Sequence, residues 1–441
     1  MSLTLNLLRQ RRFLPLFSTQ LLNAFNDNLF KNAMVLFVVY NVYNSEAAEA
    51  QFSAIASGLF ILPFFFLSAV AGQLADLRDK AVIARRVKLA EIAIMLCGAA
   101  GLVLAWKGLL VQSLAIPLTL LALFAMGIHS TFFGPIKYAI LPQHLDRGEV
   151  LAGTGLVEAG TYIAILAGTI IAGWIPVEAA AIFVVITAMV GYLCGRQIPP
   201  APPRVPNQPI DWHILRSSCA LIRNTMADRE VFFAIMAISF FWTIGAVLFI
   251  QFPPLAKNVL FASKEVASLF LVMFSIGVAI GSVSVNMLLK GTVSAKYAPI
   301  SVIVMGLFIT LFYFICSEWS SYGVPGALLG VDEFIRQPLA LPILITLMLI
   351  ATAGGMFVVP LYAFLTTKVA PDEAARAVAA NNIVNSGAMV IGSLIAAGLS
   401  AAGMPLAEQL LLSAVMCLIS ALLGALLHRE EKRAASISGK A

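Results

Sequence analysis

A stripe of polar side chains marks the first long apolar segment of the chain, around the motif Phe25-Asn-Asp-Asn-Leu-Phe-Lys-Asn32. At about 100° per residue, four polar residues fall on one helix face, within about 80° of one another. They are Gln20, Asn23, Asp27 and Lys31. Because a charge facing lipid costs about 2.5–3.5 kcal/mol, we expect this face to point into the protein. Asp27 would then bind a coupling cation or a ligand amine, unless it only neutralises Lys31.

Two later apolar segments carry similar polar faces. In the first, His129 and Lys137 share a helix face, and Tyr138 follows directly. In the second, Glu158 and Tyr162 share a face, and Glu158 has no basic residue within a turn of its own helix. Lys137 is its nearest basic candidate in sequence, so the two form either a structural pair or part of a ligand site. His129 is either a hydrogen-bonded interior histidine or a proton relay.

A segment near the C-terminal end supplies three amides, Asn381, Asn382 and Asn385. Amides in an apolar helix need hydrogen-bond partners, which predicts that these three side chains line a cavity. Trp242 and Gln251, in an earlier apolar segment, are weaker candidates for the lining of a cavity.

The elements that position these residues follow from composition. Of the 441 residues, 60% are hydrophobic and 11% are charged, which is too apolar for a soluble domain. Apolar windows of about 20 residues, the length that spans a bilayer, recur along the chain. We therefore predict an all-α membrane protein with twelve transmembrane helices in two six-helix halves. The predicted spans are 14–42, 52–75, 84–106, 114–138, 150–173, 178–197, 231–255, 265–289, 297–317, 341–365, 376–400 and 405–427.

Basic residues cluster in alternate connections between these spans, whereas the other connections contain mainly acids. By the positive-inside rule the basic connections are cytoplasmic, which places both termini in the cytoplasm. The net charge of +6 is thus a topology signal, and no nucleic-acid partner is expected. The residues counted as cytoplasmic are Arg9, Arg11, Arg12, Arg78, Lys80, Arg85, Arg86, Lys88, Arg204, Arg216, Arg223, Lys290, Lys296, Arg429, Lys432 and Arg433.

The proline-rich stretch 198–230 divides the chain into two halves. Within it, the amphipathic segment 212–223 is expected to form a short helix at the membrane interface. The predicted regions are an N-terminal half 1–197, a cytoplasmic linker 198–230, a C-terminal half 231–428 and a cytoplasmic tail 429–441. A weak internal repeat aligns 152–160 with 379–387, as duplication of a six-helix unit would produce.

Several patterns bear on other protein classes. The chain has no Gly-x-x-x-x-Gly-Lys-Ser/Thr motif for ATP hydrolysis. None of its four histidines has an Asp five residues on, the arrangement that an acyltransferase general base requires, so an enzyme is not expected. The five cysteines are scattered and predict neither a disulfide framework nor a metal site, and no cofactor is expected. The first span is too long for a signal peptide, so no cleavable leader is expected.

The connection after the second span reads Gly72-Gln-Leu-Ala-Asp76-Leu-Arg-Asp-Lys80. It resembles the loop signature Gly-x-x-x-Asp-Arg-x-Gly-Arg of the major facilitator superfamily, although the first basic position and the second glycine are replaced. At a helix end, Asp76 would pair with cations across the seam between the two halves and hold one conformation. The predicted latch consists of Gly72, Asp76, Arg85 and Arg86. The alternative is an ordinary charged cytoplasmic turn.

Four motifs carry a more specific resemblance. The segments 13–32, 134–141, 155–159 and 354–361 are similar to the first, fourth, fifth and tenth helices of the bacterial lysophospholipid transporter family, LplT. The resemblance covers nearly the whole chain. It implies movement of lysophosphatidylethanolamine and related lipids across the inner membrane toward the cytoplasmic leaflet, where an acyltransferase restores the second chain. Asn26 stands where glycine is expected in stand-alone members, which points to the branch associated with acyltransferase fusions.

The main alternative is a major facilitator exporter of drugs or amphipathic small molecules, because fold does not determine cargo. A non-transporting membrane partner of an acyltransferase is a third hypothesis. A lysolipid carrier needs a polar headgroup site beside an apolar slot open to membrane lipids. Aromatic residues in the second and fourth spans are candidates for the slot. Coupling to Na⁺ or H⁺ is left open by the sequence.

Overall fold

A computed structural model describes residues 7–146, 149–203, 212–289, 294–319, 328–368 and 374–438. Within these ranges the chain is helical, and one isolated bridge between Ala262 and Leu329 is the strand-like pairing that occurs there. The long helices are α1 Leu14–Asn41, α2 Glu46–Leu77, α3 Lys80–Trp106, α4 Ile116–Ala139, α5 Val150–Trp174, α6 Val177–Gly195, α7 Arg229–Asn258, α8 Lys264–Leu289, α9 Ala298–Trp319, α10 Ala340–Lys368, α11 Ala374–Ala401 and α12 Leu406–Ser438. Shorter helices cover Leu141–His144, Ile214–Thr225 and Val331–Ile335, and a π-helical turn Val111–Ala115 precedes α4. The all-α prediction is confirmed for the described residues.

Ten helical stretches in the described ranges are long and apolar enough to cross a membrane. They correspond to α2, α3, α4 and every long helix from α6 to α12, and so to ten of the predicted spans. Helix α1 carries the polar stripe, and in α5 the segment Ile163–Trp174 is apolar but shorter than a full span. The helices agree with the predicted spans because a membrane-crossing segment must have an apolar length that matches the thickness of the bilayer.

The chain divides into two compact units. Unit 1 contains Met1–Phe37 and Leu59–Ser217, and unit 2 contains Val38–Gly58 and Ser218–Ala441. The end of α1 and the start of α2 therefore cluster with the C-terminal helices. The predicted region boundaries at 197 and 231 lie on either side of the division at Ser217.

In unit 1, α3 packs against α4 and α6. Glycines allow two pairs of helices to approach closely, α5 with α1 and α4 with α2. A Cβ added at Gly168 in α5 would lie 2.6 Å from the carbonyl oxygen of Phe25. A Cβ added at Gly127 in α4 would clash with the carbonyl oxygen of Phe60 in α2. Small residues at helix crossings are typical of membrane proteins, because backbones can then approach without a side chain between them.

In unit 2, α8 packs along α10, while α7 packs against α11 and α12. Three glycines line the α8–α10 contact, Gly277 and Gly281 on α8 and Gly355 on α10. A Cβ at any of them would clash with a backbone carbonyl of the opposite helix, those of Met348, Thr352 and Val278 respectively. The two helices are thus in backbone contact along this seam.

The segment Val38–Gly58 is fixed within unit 2 by charge-assisted hydrogen bonds. Lys257, near the end of α7, donates to Glu49 Oε1 at 2.5 Å, to the carbonyl oxygen of Val39 in α1 at 2.6 Å and to that of Tyr43, just after α1, at 2.9 Å. Asn258 donates to Glu49 Oε2 at 2.5 Å, and Glu49 is fully buried. Lys257 is an exception to the predicted charge asymmetry, and its pairing with a buried acid explains how the cation is accommodated.

Two polar segments extend beyond the predicted spans. The helix predicted at 212–223 is found as Ile214–Thr225, with Leu215 and Cys219 exposed, and Trp212 before it is also exposed. Its place at the membrane interface stays a prediction. Helix α12 continues through the predicted tail to Ser438, where His428 and Glu431, three positions apart, contact each other at 2.9 Å. Hydropathy detects the apolar part of a helix and not its polar continuation, which is why the predicted span ended at 427.

Candidate functional site

The polar stripe of α1 faces the interior of unit 1, as predicted. The exposed fractions of Asp27, Asn23 and Ser130 are 7%, 6% and 8%. Asp27 Oδ2 accepts hydrogen bonds from Ser130 Oγ of α4 at 2.5 Å and from Asn23 Nδ2 at 3.2 Å. Among the described residues, Asp27 Oδ1 is buried and accepts no hydrogen bond. One oxygen of this carboxylate is therefore without a hydrogen-bond donor in the described part of the chain.

A second buried acid, Glu91 of α3, lies in the same interior. Its side chain is fully buried and forms an ion pair with Lys88, which is also fully buried. Asn26 Nδ2 donates to Glu91 Oε1 at 2.8 Å, and His129 Nε2 lies 3.3 Å from Glu91 Oε2. Lys88, one of the basic residues counted as cytoplasmic, lies within α3, which begins at Lys80, and its side chain is fully buried.

Polar contacts connect the two acids into one cluster. Lys88 Nζ lies 3.5 Å from Asn23 Oδ1, and Asn23 in turn binds Asp27. His129 Nδ1 lies 3.5 Å from Ser130 Oγ. We call Asn23, Asn26, Asp27, Lys88, Glu91, His129 and Ser130 the acidic cluster. Helix α6 leaves room for it at Gly191, where an added Cβ would lie 2.9 Å from Lys88 Cε.

The ammonium of Lys31 does not contact the carboxylate of Asp27. Its ammonium lies 5.5 Å from the centroid of the Phe60 ring, a cation–π arrangement. Among the described side chains, Lys31 and Asp27 do not form an ion pair within 4.0 Å. Asp27 and Lys31 are thus not in direct contact, and a role of Asp27 beyond neutralising Lys31 stays a prediction.

The fourth- and fifth-span candidates are described in part. Lys137 Nζ lies 3.5 Å from Thr161 Oγ1, and Thr161 donates to Gln20 Oε1 at 2.8 Å, so Lys137 is linked to the α1 stripe. The side chains of Tyr138, Glu158 and Tyr162 lie outside the described part of the chain. Pairing of Lys137 with Glu158 therefore stays a prediction.

Unit 2 contains an uncharged polar cluster around α11. Asn385 Oδ1 accepts a hydrogen bond from Ser239 Oγ at 2.6 Å, and its Nδ2 lies 3.4 Å from the Tyr362 hydroxyl. Trp242 Nε1 donates to the same hydroxyl at 2.8 Å. Asn381 is fully buried, and in the described residues neither of its amide atoms forms a hydrogen bond. The unpaired amide of Asn381 is thus a candidate ligand contact.

Two other predicted cavity residues, Asn382 and Gln251, have surroundings different from those of Asn381. Asn382 is exposed, because one helical step of about 100° turns it away from Asn381. Gln251 is buried and donates to Gln409 Oε1 at 3.0 Å, and Gln409 donates to Ser400 Oγ at 3.1 Å. The structure therefore separates Gln251 from the cluster around Asn385, whereas the lining of a cavity by Asn382 stays a prediction.

Comparison with protein families decides the class of the protein. The family model of the Major Facilitator Superfamily matches residues 16–334. The chain belongs to the Major Facilitator Superfamily. It is accordingly a multi-pass inner-membrane transporter and not an enzyme, with the candidate spans described above.

Curated relatives in the superfamily share most of the chain's length. The lysophospholipid transporter LplT of Serratia proteamaculans is 24% identical over 395 residues, which cover 87% of each chain. LplT of Photorhabdus laumondii is 23% identical over 359 residues, covering 79% of this chain and 78% of the relative. The resemblance predicted from the four helix motifs thus agrees with similarity along most of the sequence.

Solved structures of the superfamily share the fold. A bacterial homologue of the human lysosomal transporter Spinster superposes with a TM-score of 0.67 at 14% identity, covering 96% of this chain and 98% of that one. A D-xylose–proton symporter superposes with a TM-score of 0.63 at 13% identity, with 94% and 96% covered. The predicted major facilitator fold is confirmed.

The loop signature of the superfamily has local structural roles in this chain. Asp79, at the position of a signature glycine, caps α3 by accepting hydrogen bonds from the amides of Ala81 and Val82 at 2.8 and 3.3 Å. Arg85 Nη2 donates to the Ile198 carbonyl at 2.7 Å, and Arg86 is exposed. The Asp76 side chain lies outside the described residues, and a Cβ at Gly72 would meet no described atom within 4 Å. The latch stays a prediction.

Proposed function

We propose that this protein is a secondary transporter of lysophospholipids, with lysophosphatidylethanolamine as the preferred cargo. It moves the lipid toward the cytoplasmic leaflet by alternating access. The relatives named lysophospholipid transporter LplT, which align over most of this chain, support the cargo class. Membership of the Major Facilitator Superfamily supports the transport cycle.

The observation that carries the proposal is the buried carboxylate of Asp27. One of its oxygens is held by Ser130 and Asn23, and the other accepts no hydrogen bond among the described residues. A charged oxygen kept in an apolar interior is stabilised by a cation or a strong donor. The ammonium of an ethanolamine headgroup provides both a positive charge and three N–H donors.

The proposed membrane topology has twelve spans with both termini in the cytoplasm. The ten candidate spans are completed by α1 and α5. Helix α1 has 28 residues, long enough to cross a bilayer, and its polar residues face the interior of unit 1 rather than lipid. An even number of spans places both ends on one side, in agreement with the basic residues near each end.

The product of this transport is a lipid that carries one acyl chain in the cytoplasmic leaflet. An acyltransferase must then add the second chain if the lipid is to return to the bilayer pool. We place that enzyme on a separate chain or on a fused one, because this sequence lacks the His-x-x-x-x-Asp arrangement.

The test is uptake of labelled lysophosphatidylethanolamine by proteoliposomes that contain the purified protein. We expect uptake above that of protein-free liposomes, and loss of this uptake in Asp27→Asn. Separate gradients of Na⁺ and pH identify the coupling ion. Ethidium and other amphipathic cations are assayed in parallel, because transport of these compounds without any lysolipid uptake would identify an exporter instead.

A further inference from the structure

The two buried acids of the acidic cluster differ in their partners. Glu91 contacts the cation Lys88 directly, and it also contacts Asn26 at 2.8 Å and His129 at 3.3 Å. Asp27 receives hydrogen bonds from two neutral groups, Ser130 and Asn23. The ammonium of Lys88 therefore contacts Glu91 and does not contact Asp27 directly.

Lys88 nevertheless lies close to Asp27. Its ammonium is 3.5 Å from Asn23 Oδ1, and the amide nitrogen of Asn23 is 3.2 Å from Asp27 Oδ2. One side chain thus separates the cation from the second acid. Because a lysine has a flexible four-carbon stem, a small rotation would bring its ammonium to Asp27 if Glu91 did not hold it.

We propose that Glu91 is a specificity-determining residue for the lipid headgroup. By holding Lys88, it keeps that ammonium out of contact with the carboxylate of Asp27, so that Asp27 selects a headgroup that carries an ammonium. An uncharged glycerol headgroup offers no cation to Asp27. This inference rests on the proposed function, because it assumes that lysophospholipids are the cargo.

Asn26 positions Glu91. Its amide nitrogen donates to Glu91 Oε1, and Asn26 itself is fully buried. A glycine at this position would have no amide side chain with which to hold the acid. Asn26 and Glu91 therefore act together: the first residue orients the carboxylate, and the second neutralises Lys88.

Removal of the Glu91 charge should change the headgroup selectivity. In Glu91→Gln, Lys88 keeps its charge in a buried site, and the nearest remaining acid of the acidic cluster is Asp27. An Asp27–Lys88 pair would compete with a substrate ammonium for the same carboxylate. Selectivity would then shift from zwitterionic lysophosphatidylethanolamine toward anionic lysophosphatidylglycerol.

The experiment is competitive uptake from an equal mixture of these two lysolipids into proteoliposomes, read as the ratio of the accumulated species. We expect the wild-type ratio to favour lysophosphatidylethanolamine and Glu91→Gln to lower it at least about tenfold, since juxtaposed like charges strongly disfavour binding. Adding Lys88→Met to Glu91→Gln should restore much of the ratio, because the competing cation is gone. Glu178→Gln, which changes an acid at the start of α6, should leave the ratio unchanged.

Two further variants keep the test decisive if Glu91→Gln folds poorly. Glu91→Asp retains the charge and should keep the wild-type preference, whereas Asn26→Gly should shift the ratio in the same direction as Glu91→Gln but less. An unchanged ratio in folded Glu91→Gln or Asn26→Gly, or no restoration by Lys88→Met, overturns the inference. Failure of the proposed function gives a different result, namely no uptake of either lysolipid by the wild-type protein.

Discussion

At the scale of single residues, Asp27 differs from the buried acids Glu49 and Glu91 in having no cation within contact distance among the described side chains. Neutral donors orient it, and Lys88 is held by Glu91. An acid that served only to stabilise the bundle would be paired, because an unpaired buried charge is costly. Function is the simplest physical reason to keep Asp27 in this state.

We predict that Asp27→Asn abolishes lysolipid uptake and that adding Lys31→Met does not restore it. The reason is that Lys31 packs on the Phe60 ring and is not the partner whose removal would rebalance the site. Uptake, expression level and melting temperature are measured for both variants. Both should express and melt near the wild type, because Asn can keep one of the hydrogen bonds to Ser130 or Asn23. Restored uptake in the double variant would make Asp27 half of a structural pair.

The sequence predicted part of the acidic cluster, for a reason that the residues make clear. Asp27 and Asn23 repeat at helical spacing on one face of α1, so periodicity predicts that they share a side. Glu91 is a single acid in α3, and its partners other than Lys88 come from α1 and α4, so that only tertiary packing brings them together. The spacing in the sequence does indicate the Lys88–Glu91 pair, because residues three positions apart on a helix lie next to each other.

At the scale of helices, the pairing of Glu49 with Lys257 fastens the α1–α2 connection to the end of α7. Both carboxylate oxygens are used, one by Lys257 and the other by Asn258. This arrangement matters for α1, because the helix that carries Asp27 ends at the same connection. The last turn of α1 is thus held by contacts within unit 2.

We predict that Lys257→Met destabilises the protein by about 3–5 kcal/mol, because Glu49 is left buried without a cation. Combining it with Glu49→Gln should recover most of the loss, since the whole buried pair is then removed. The free energy of unfolding is measured in mild detergent for the single and double variants. Lys107→Met, at an exposed lysine, serves as the control. Equal destabilisation in the single and double variants would show that the charge pair is not the cause.

At the scale of the whole molecule, the proposed topology places the helix Ile214–Thr225 in the cytoplasm. We predict that a membrane-impermeant maleimide labels Cys219 in inside-out vesicles and not in right-side-out vesicles. Cys219 is exposed, whereas Cys316 and Cys417 are buried. Cys219→Ser should remove the signal, which identifies the labelled residue. Labelling in right-side-out vesicles would reverse the orientation.

The predicted latch concerns the cycle of the whole transporter. We predict that Asp76→Asn lowers the transport rate more than it lowers lysolipid binding, because its proposed role is to time the exchange between conformations. Binding is measured by equilibrium titration, and turnover is measured by uptake per bound lipid. Reduced binding with unchanged turnover would assign Asp76 to the binding site and remove the latch.

Hydropathy and charge predicted the helical class and ten of the spans, because bilayer thickness imposes the length of each apolar segment. They did not predict that Val38–Gly58 clusters with the C-terminal helices. That assignment depends on Glu49, which reads in the sequence as one more acid of a non-cytoplasmic connection. Its role appears only when Lys257, more than 200 residues away, is placed beside it.

The glycine seam between α8 and α10 has a consequence for how this sequence can change over generations. At Gly277, Gly281 and Gly355 the opposing atom is a backbone oxygen, which every amino acid carries. A larger residue on one helix therefore has no compensating substitution on the other, and only retreat of a whole helix relieves the clash. Gly245 and Gly398 meet no described atom within 4 Å and are free to drift to alanine. Lineages of this protein should accordingly diverge around the seam while its three glycines stay fixed.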